Sequence, residues 1–504
     1  MAGVTLSRQL TKAHRVDDLN GSRFKFLPLD TLNRLITEEN VRSELARKPP
    51  RRPRISLTSA SEQARTLASR VVTKKGRKLF VILVHLKKPW DVRKLMDAGL
   101  NDDFLPLFRN GQGRNEDQLQ SARDARIIFN PPDDWEDQDV DDFIDKQWLV
   151  LAPVFGTSGA HRILDASCPL PLVKVDGTIH GPGSVVYKTD VHPSQQQGIM
   201  SLQLEYQNAE VALKEFKRDK DFQQERDNLK RIRKLRNKHI TIHFETFSQG
   251  DRSYILFPWA GGGDLENFWK SRDNEARTHQ LALWSLEQML GLSEALYALH
   301  EEMGQDANCR HGDLKPQNIL HFLTGASGGI LKISDFGISR VHQVGTFERD
   351  MQPTITRATS PSYEAPEAVV GENRARSRKY DIWSLGCIFL EFAIWLVQDW
   401  DAINRSCDAR TPKGPQPAGG WAHFYRIEGP NVMVHPEVPR AIHRLKSLAP
   451  SAPGTALGDL LDIIQANLVR VDIRERLDAK SLCEKLKQII SRARANPAYL
   501  FGSG

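Results

Sequence analysis

His311-Gly312-Asp313-Leu314-Lys315-Pro316-Gln317-Asn318 is the stretch whose reading decides the fold of this chain. It sets a carboxylate, an ammonium and a carboxamide at fixed offsets, Asp313, Lys315 and Asn318. Apolar strand patterns follow at Ile319-Leu320 and from Ile330 to Ile333, and Asp335-Phe336-Gly337 comes directly after them. Either motif alone is weak, but in this order and spacing they reinforce each other. Phosphoryl transfer needs a group to orient the attacking hydroxyl, cations to offset phosphate charge, and oxygen ligands to hold those cations. In that chemistry Asp313 accepts or orients the hydroxyl proton and Lys315 reaches the transferred phosphate. Asn318 and Asp335 supply oxygen ligands for Mg2+.

Outward from this stretch, two textures appear. Strand-like runs at 172–175, 184–187, 210–214 and 253–258 surround one charged helical stretch at about 219–236. Beyond 265 the periodicity is helical, at 279–302, 381–398, 437–448, 456–468 and 478–492. A small strand-rich lobe followed by a larger helical lobe puts a nucleotide in the cleft between them.

Taken together, these features resemble the eukaryotic protein kinase superfamily over about residues 170–490, and Lys315 within Asp-Leu-Lys-Pro resembles its serine/threonine branch. The resemblance implies an α+β, bilobal fold, ATP and Mg2+ as cofactors, and a protein serine or threonine as acceptor. Val211-Ala212-Leu213-Lys214 resembles the strand whose lysine contacts the α- and β-phosphates, with Glu225 as the partner of Lys214. Phe257-Pro258-Trp259-Ala260-Gly261-Gly262-Gly263-Asp264-Leu265 resembles the hinge; Phe257 is then the gatekeeper, Trp259 a nucleotide neighbour and Asp264 a ribose contact. Ala365-Pro366-Glu367, with Tyr363 before it, resembles the end of an activation segment. Asp381 resembles the brace of the catalytic loop, and Arg476 the late arginine that pairs with Glu367. More narrowly, Phe26-Leu27-Pro28-Leu29-Asp30 and the run from Gln147 to Phe155 resemble filamentous-fungal protein kinases with a long N-terminal extension.

Three departures matter. In Gly181-Pro182-Gly183-Ser184-Val185-Val186-Tyr187-Lys188 the glycines Gly181 and Gly183 suit close approach to phosphate, but Val186 stands where a third would fall. A shortened loop leading into a strand at Val185 fits better. The helical run carrying Glu225, reaching His239-Ile240, is about one turn longer than usual for the pattern, which leaves a surface glutamate as the alternative. Gly312 stands where the family often has an arginine that needs a phosphate counter-charge. Activation is therefore expected to be independent of phosphorylation at Thr346, Thr354, Thr356 or Thr359, with Ser360 close to Asp313. A pseudokinase or scaffold that binds nucleotide weakly or not at all is the alternative function, and a small-molecule kinase ranks behind both.

The remainder of the chain bounds these readings. Of 504 residues 40% are hydrophobic and 26% charged, with net charge +7, a mildly basic surface from which no nucleic-acid partner is expected. Cys168, Cys309, Cys387, Cys407 and Cys483 form no C-x-x-C pair, which argues against a disulfide framework or zinc site. The longest apolar run, Leu79 to Val84, is far too short to cross a bilayer, and Met1 to Arg8 carries no apolar signal core. An intracellular protein, cytoplasmic or nuclear, with no membrane partner is expected. Residues 1–46 read as a helical segment and 47–59 as a basic Pro/Arg linker. Residues 60–165 read as an accessory region and 491–504 as a C-terminal tail. The N-terminal part, mainly helical, is expected to bind a partner or the kinase domain itself.

Overall fold

In the computed structural model the described residues are 5–47, 57–110, 118–181, 183–201, 210–303, 307–325, 328–337, 339–343, 361–370, 377–412 and 421–501. The small lobe is built on six strands: β1 (His161–Leu164), β2 (Leu172–His180), β3 (Ser184–Val191), β4 (Val211–Phe216), β5 (Glu245–Gln249) and β6 (Arg252–Pro258). Their order across the sheet is β1-β5-β6-β4-β3-β2. β1 runs parallel to β5 and the other neighbours are antiparallel. Period-two alternation decides what β4 does: Val211 and Leu213 join an apolar cluster with Leu172, Phe247, Tyr254 and Leu256, so Lys214 projects from the opposite face. Helix α1 (Asp219–Ile232) covers that face through Phe222, Leu229 and Ile232. It ends in a 3-10 turn at Arg233–Leu235 and a left-handed Arg236, which accounts for the long helical pattern in the sequence.

The large lobe is helical, and its elements follow the expected runs within a few residues. Helices α2 (Leu265–Ser271), α3 (His279–Glu301) and α4 (Lys379–Val397) share one core with Glu437–Lys446, Ala456–Ile463 and Ala479–Ala495. Among the described residues α4 is the one helix long and apolar enough to cross a bilayer, and 94% of that window is buried inside the lobe. Strands β7 (Ile319–Phe322) and β8 (Ile330–Ile333) form the hairpin beneath the cleft. The last turn, Pro497–Phe501, brings Tyr499 and Leu500 into the same core, so the region drawn as a tail after 490 is packed at least to Leu500.

Arg476 pairs with Glu367 through two bonds of 2.8 Å, from Nη1 to Oε1 and from Nη2 to Oε2. It also donates to the carbonyls of Arg470, Lys379 and Val471 and is itself 2% exposed. Arg476→Ala strands a largely buried carboxylate and three carbonyls, and is expected to cost about 3 kcal/mol or more in urea unfolding.

The N-terminal region folds around one core. Leu6, Leu10, Leu32, Val41 and Leu45 share it with Leu79 to Val84, Val140, Phe143 and Val150, so 1–46 and 60–165 are not separately packed. The expected linker is shorter at its end, because a helix begins at Leu57. The region is less purely helical than its pattern, with a hairpin at Arg15–Asp17 and Gly21–Phe26 and a small sheet over 107–129. Trp135, within the acidic run Asp133-Asp134-Trp135-Glu136-Asp137, packs inward, 5.6 Å from the Phe143 ring, with Nε1 donating to Asp91 at 2.8 Å. The region meets the small lobe directly: Asp18 N donates to Leu172 O at 3.1 Å and Leu29 N to Gln195 Oε1 at 2.8 Å. The buried Asp17 carboxylate accepts from Leu170 N at 2.8 Å.

Candidate active site

Two charged clusters face the cleft. In the first, Lys214 Nζ donates to Glu225 at 2.7 and 2.9 Å and to Asp335 Oδ1 at 3.1 Å. Helical spacing explains why Glu225 reaches it: Phe222, Glu225, Leu229 and Ile232 recur on the buried face of an otherwise charged helix. Burial works against the Lys214 ammonium, but Asp335 and Glu225 outweigh it and raise its pKa. Lys214 in turn holds Asp335 down at about 2, whereas burial pushes Glu225 up to about 7. Asp335 has φ of 61°, a left-handed conformation uncommon outside glycine, and its side chain is 47% exposed. A Cβ on Gly337 would lie 2.9 Å from Glu225 Oε2, so any other residue there would press on the Glu225 carboxylate.

Asn228 was not among the expected site residues. Lying three residues beyond Glu225, it donates through Nδ2 to Phe336 O at 2.8 Å and Ser339 O at 2.9 Å. The helix thus grips the backbone that follows Asp335 as well as pairing its lysine neighbour. The i, i+3 spacing was the one available signal.

The second cluster is the 311–318 loop. Asn318 Nδ2 donates to Asp313 O at 2.8 Å and to Asp313 Oδ2 at 3.1 Å, and Lys315 Nζ lies 3.1 Å from the same Oδ2. The loop is hung from α4: Asp381 Oδ2 accepts from His311 N and Oδ1 from Gly312 N, both at 2.8 Å. Burial alone would raise the Asp381 carboxyl, but His300 at 2.9 Å and the loop amide hold it below its ordinary value. Gly312 has φ of 84°, so a glycine at this site suits the backbone as well as removing a charge. His311 Nε2 lies 2.9 Å from Ser334 O and Ser334 N donates to Asn318 O, which fixes the loop against the residue before Asp335.

The other expected site residues fall on two further elements. Gly181 and Gly183 flank the tip of the β2–β3 hairpin, where Gly181 N donates to Ser184 O at 2.9 Å. Lys217 ties this tip down, from N to Gly183 O at 3.0 Å and from Nζ to Gly181 O at 3.2 Å. Phe257 stands next to the end of β6, opposite Ala212, and packs on the large core; Trp259 lies just past the strand, with Lys188 Nζ 5.5 Å over its ring. Asp264 caps α2, its Oδ1 accepting from Asn267 N at 2.8 Å. Thr346, Thr354, Thr356, Thr359 and Ser360 lie outside the described residues.

A nucleoside triphosphate with a divalent cation fits this donor set. Asp335 is an exposed, fully ionised carboxylate, and the Asn318 amide nitrogen is committed to Asp313, so its Oδ1 is the atom left to meet a cation. Among the described residues no three His, Cys, Asp or Glu side chains cluster as a metal cage. One carboxylate and one amide, with phosphate and water completing the shell, is how a hard cation such as Mg2+ is held.

Residues 198–399 match the family model described as protein kinase domain. Among curated proteins the chain is similar to the serine/threonine-protein kinase Nek5 of Mus musculus, 28% identical over 37% of this chain and 27% of the relative. It is also similar to nekl-2 of Caenorhabditis elegans, 31% identical over 34% of this chain and 45% of the relative. A third relative is cds1 of Schizosaccharomyces pombe, 31% identical over 39% of each. The chain thus spans less than half the length of these relatives.

Proposed function

We propose that this chain, whose residues 198–399 match the protein kinase domain model and which is similar to serine/threonine-protein kinases, is an ATP-dependent protein serine/threonine kinase transferring the γ-phosphate to a protein hydroxyl. The observation that carries the reading is the joint presence of Lys214–Glu225–Asp335 and Asp313–Lys315–Asn318 in one cleft. A scaffold has no need of both. Asp313 orients the acceptor hydroxyl and takes up its proton, while Lys315 and Lys214 offset charge on the phosphates. Asn318 and Asp335 hold Mg2+, which when bound neutralises phosphate charge. Phe257, Trp259 and Asp264 border the base and ribose, and Gly181 and Gly183 lie over the phosphates. The acceptor is a protein serine or threonine; nucleic acid and membrane are not among the proposed partners, and the setting is the cytoplasm or nucleus.

Gly312 supports a finer reading, in which activity does not depend on activation-segment phosphate. The cation that would need such a phosphate is missing from the loop. Replacing Thr346, Thr354, Thr356 and Thr359 together by alanine is expected to leave turnover within about twofold of the unmodified chain, less than ~0.5 kcal/mol in barrier. Loss of activity in a folded quadruple variant would overturn this.

The short tip, tied down by Lys217 at Gly181 and Gly183, favours the second reading, a pseudokinase or scaffold that binds nucleotide weakly or not at all. Melting curves with ATP, with and without magnesium, followed by a turnover assay, separate the two. A magnesium-dependent upward shift with turnover supports the kinase; absence of turnover supports the scaffold, with a shift marking one that binds nucleotide and no shift an inert one.

A further inference from the structure

The segment just before β2 makes a second contact with the helix that carries Glu225. Strand β1 aligns His161 with Thr246 and Arg162 with Phe247. Arg162 clamps Glu245 by Nε to Oε2 at 2.7 Å and Nη2 to Oε1 at 3.0 Å, a carboxylate 2% exposed. His161 Nδ1 lies 3.0 Å from Thr246 Oγ1, and its ring is 5.7 Å from Phe222 of α1. Phe222 is fully buried and meets Phe216 edge-on at 5.6 Å; Lys214 Nζ stands 5.2 Å over the Phe216 ring. Glu225 follows Phe222 by three residues on the same face. At the far end of the helix Arg233 donates to His243 O at 2.6 Å and to Thr157 O.

We propose that residues 157–162 form a strut that sets the position of α1, with His161 as a positioning residue acting through Phe222 on the Lys214–Glu225 pair. This rests on the kinase reading above. The strut lies outside the stretch that matches the kinase domain model, so it belongs to this chain's N-terminal side. It reaches the helix at both ends, at Phe222 and at Arg233, and is itself pinned to β5 by a bidentate pair. A helix held at two points resists both the tilt and the slide that would separate Glu225 from Lys214.

The test uses the full chain. His161→Ala is expected to lower kcat about fivefold, the factor given by ~1 kcal/mol of lost ring packing. His161 is exposed, so the fold survives the change. His161→Phe restores the ring and is expected to restore kcat to within about twofold. In a Glu225→Gln background His161→Ala costs nothing further, because the pair it acts through is already broken. An unchanged kcat in His161→Ala, or the same fivefold loss in both backgrounds, overturns the strut. If the unmodified chain transfers no phosphate, the kinase reading fails and hydrogen exchange over residues 219–232 decides the strut separately. Faster exchange in His161→Ala, reversed in His161→Phe, keeps it; equal exchange removes it.

Discussion

Asp313→Asn is expected to lower phosphotransfer by about a thousandfold, within the range that general-base removal produces, at an unchanged melting temperature. The fold should tolerate the change because of what touches Asp313. Asn318 Nδ2 donates to Asp313 O and Oδ2, and Lys315 lies at 3.1 Å from the same oxygen. An asparagine oxygen accepts both contacts, so only the capacity to take a proton is lost. Steady-state kinetics with circular dichroism melting checks this. A variant that keeps more than a tenth of the activity would remove Asp313 from its role.

Lys214→Ala has the second large effect, and it falls on stability as well as rate. The Lys214 side chain is 13% exposed and that of Glu225 2%, so truncation leaves a carboxylate buried without its cation. The cost is about 3 kcal/mol, moderated because burial already pushes Glu225 up to about 7, which lets it protonate near neutral pH. The rate falls about 100- to 1,000-fold, as when one charge-stabilising donor is removed from an active site. Adding Glu225→Gln separates the two effects. The double variant regains stability, because no buried charge is left, but does not regain activity. Recovery of activity in the double variant would mean that Lys214 serves packing alone.

The catalytic side of the molecule was legible because its chemistry demands residue types at fixed spacing. Asp313, Asn318 and Asp335 cannot be exchanged for other polar residues, and α3 and α4 announce themselves by long apolar runs. Glu225 was legible for a different reason, as an acid followed by Leu229 and Ile232 at helical spacing. The strands β1 and β5 were not foreseen. Glu245-Thr246-Phe247-Ser248-Gln249 looks polar, yet Glu245, Thr246 and Gln249 are buried and satisfied by Arg162, His161 and the carbonyls of Asp165 and Cys168. A strand buried through long-range polar partners carries no alternation to read. The same applies to the N-terminal region, where short helices from 6–45 and 64–150 complete one another's core and neither half carries a self-sufficient pattern.

The central claim is most directly tested by incubating the full chain with γ-labelled ATP, magnesium and a generic basic protein, followed by phosphoamino-acid analysis. Label on serine or threonine that needs magnesium and disappears in Asp313→Asn is the result this account predicts. No label, or equal label from the Asp313→Asn chain, would contradict it.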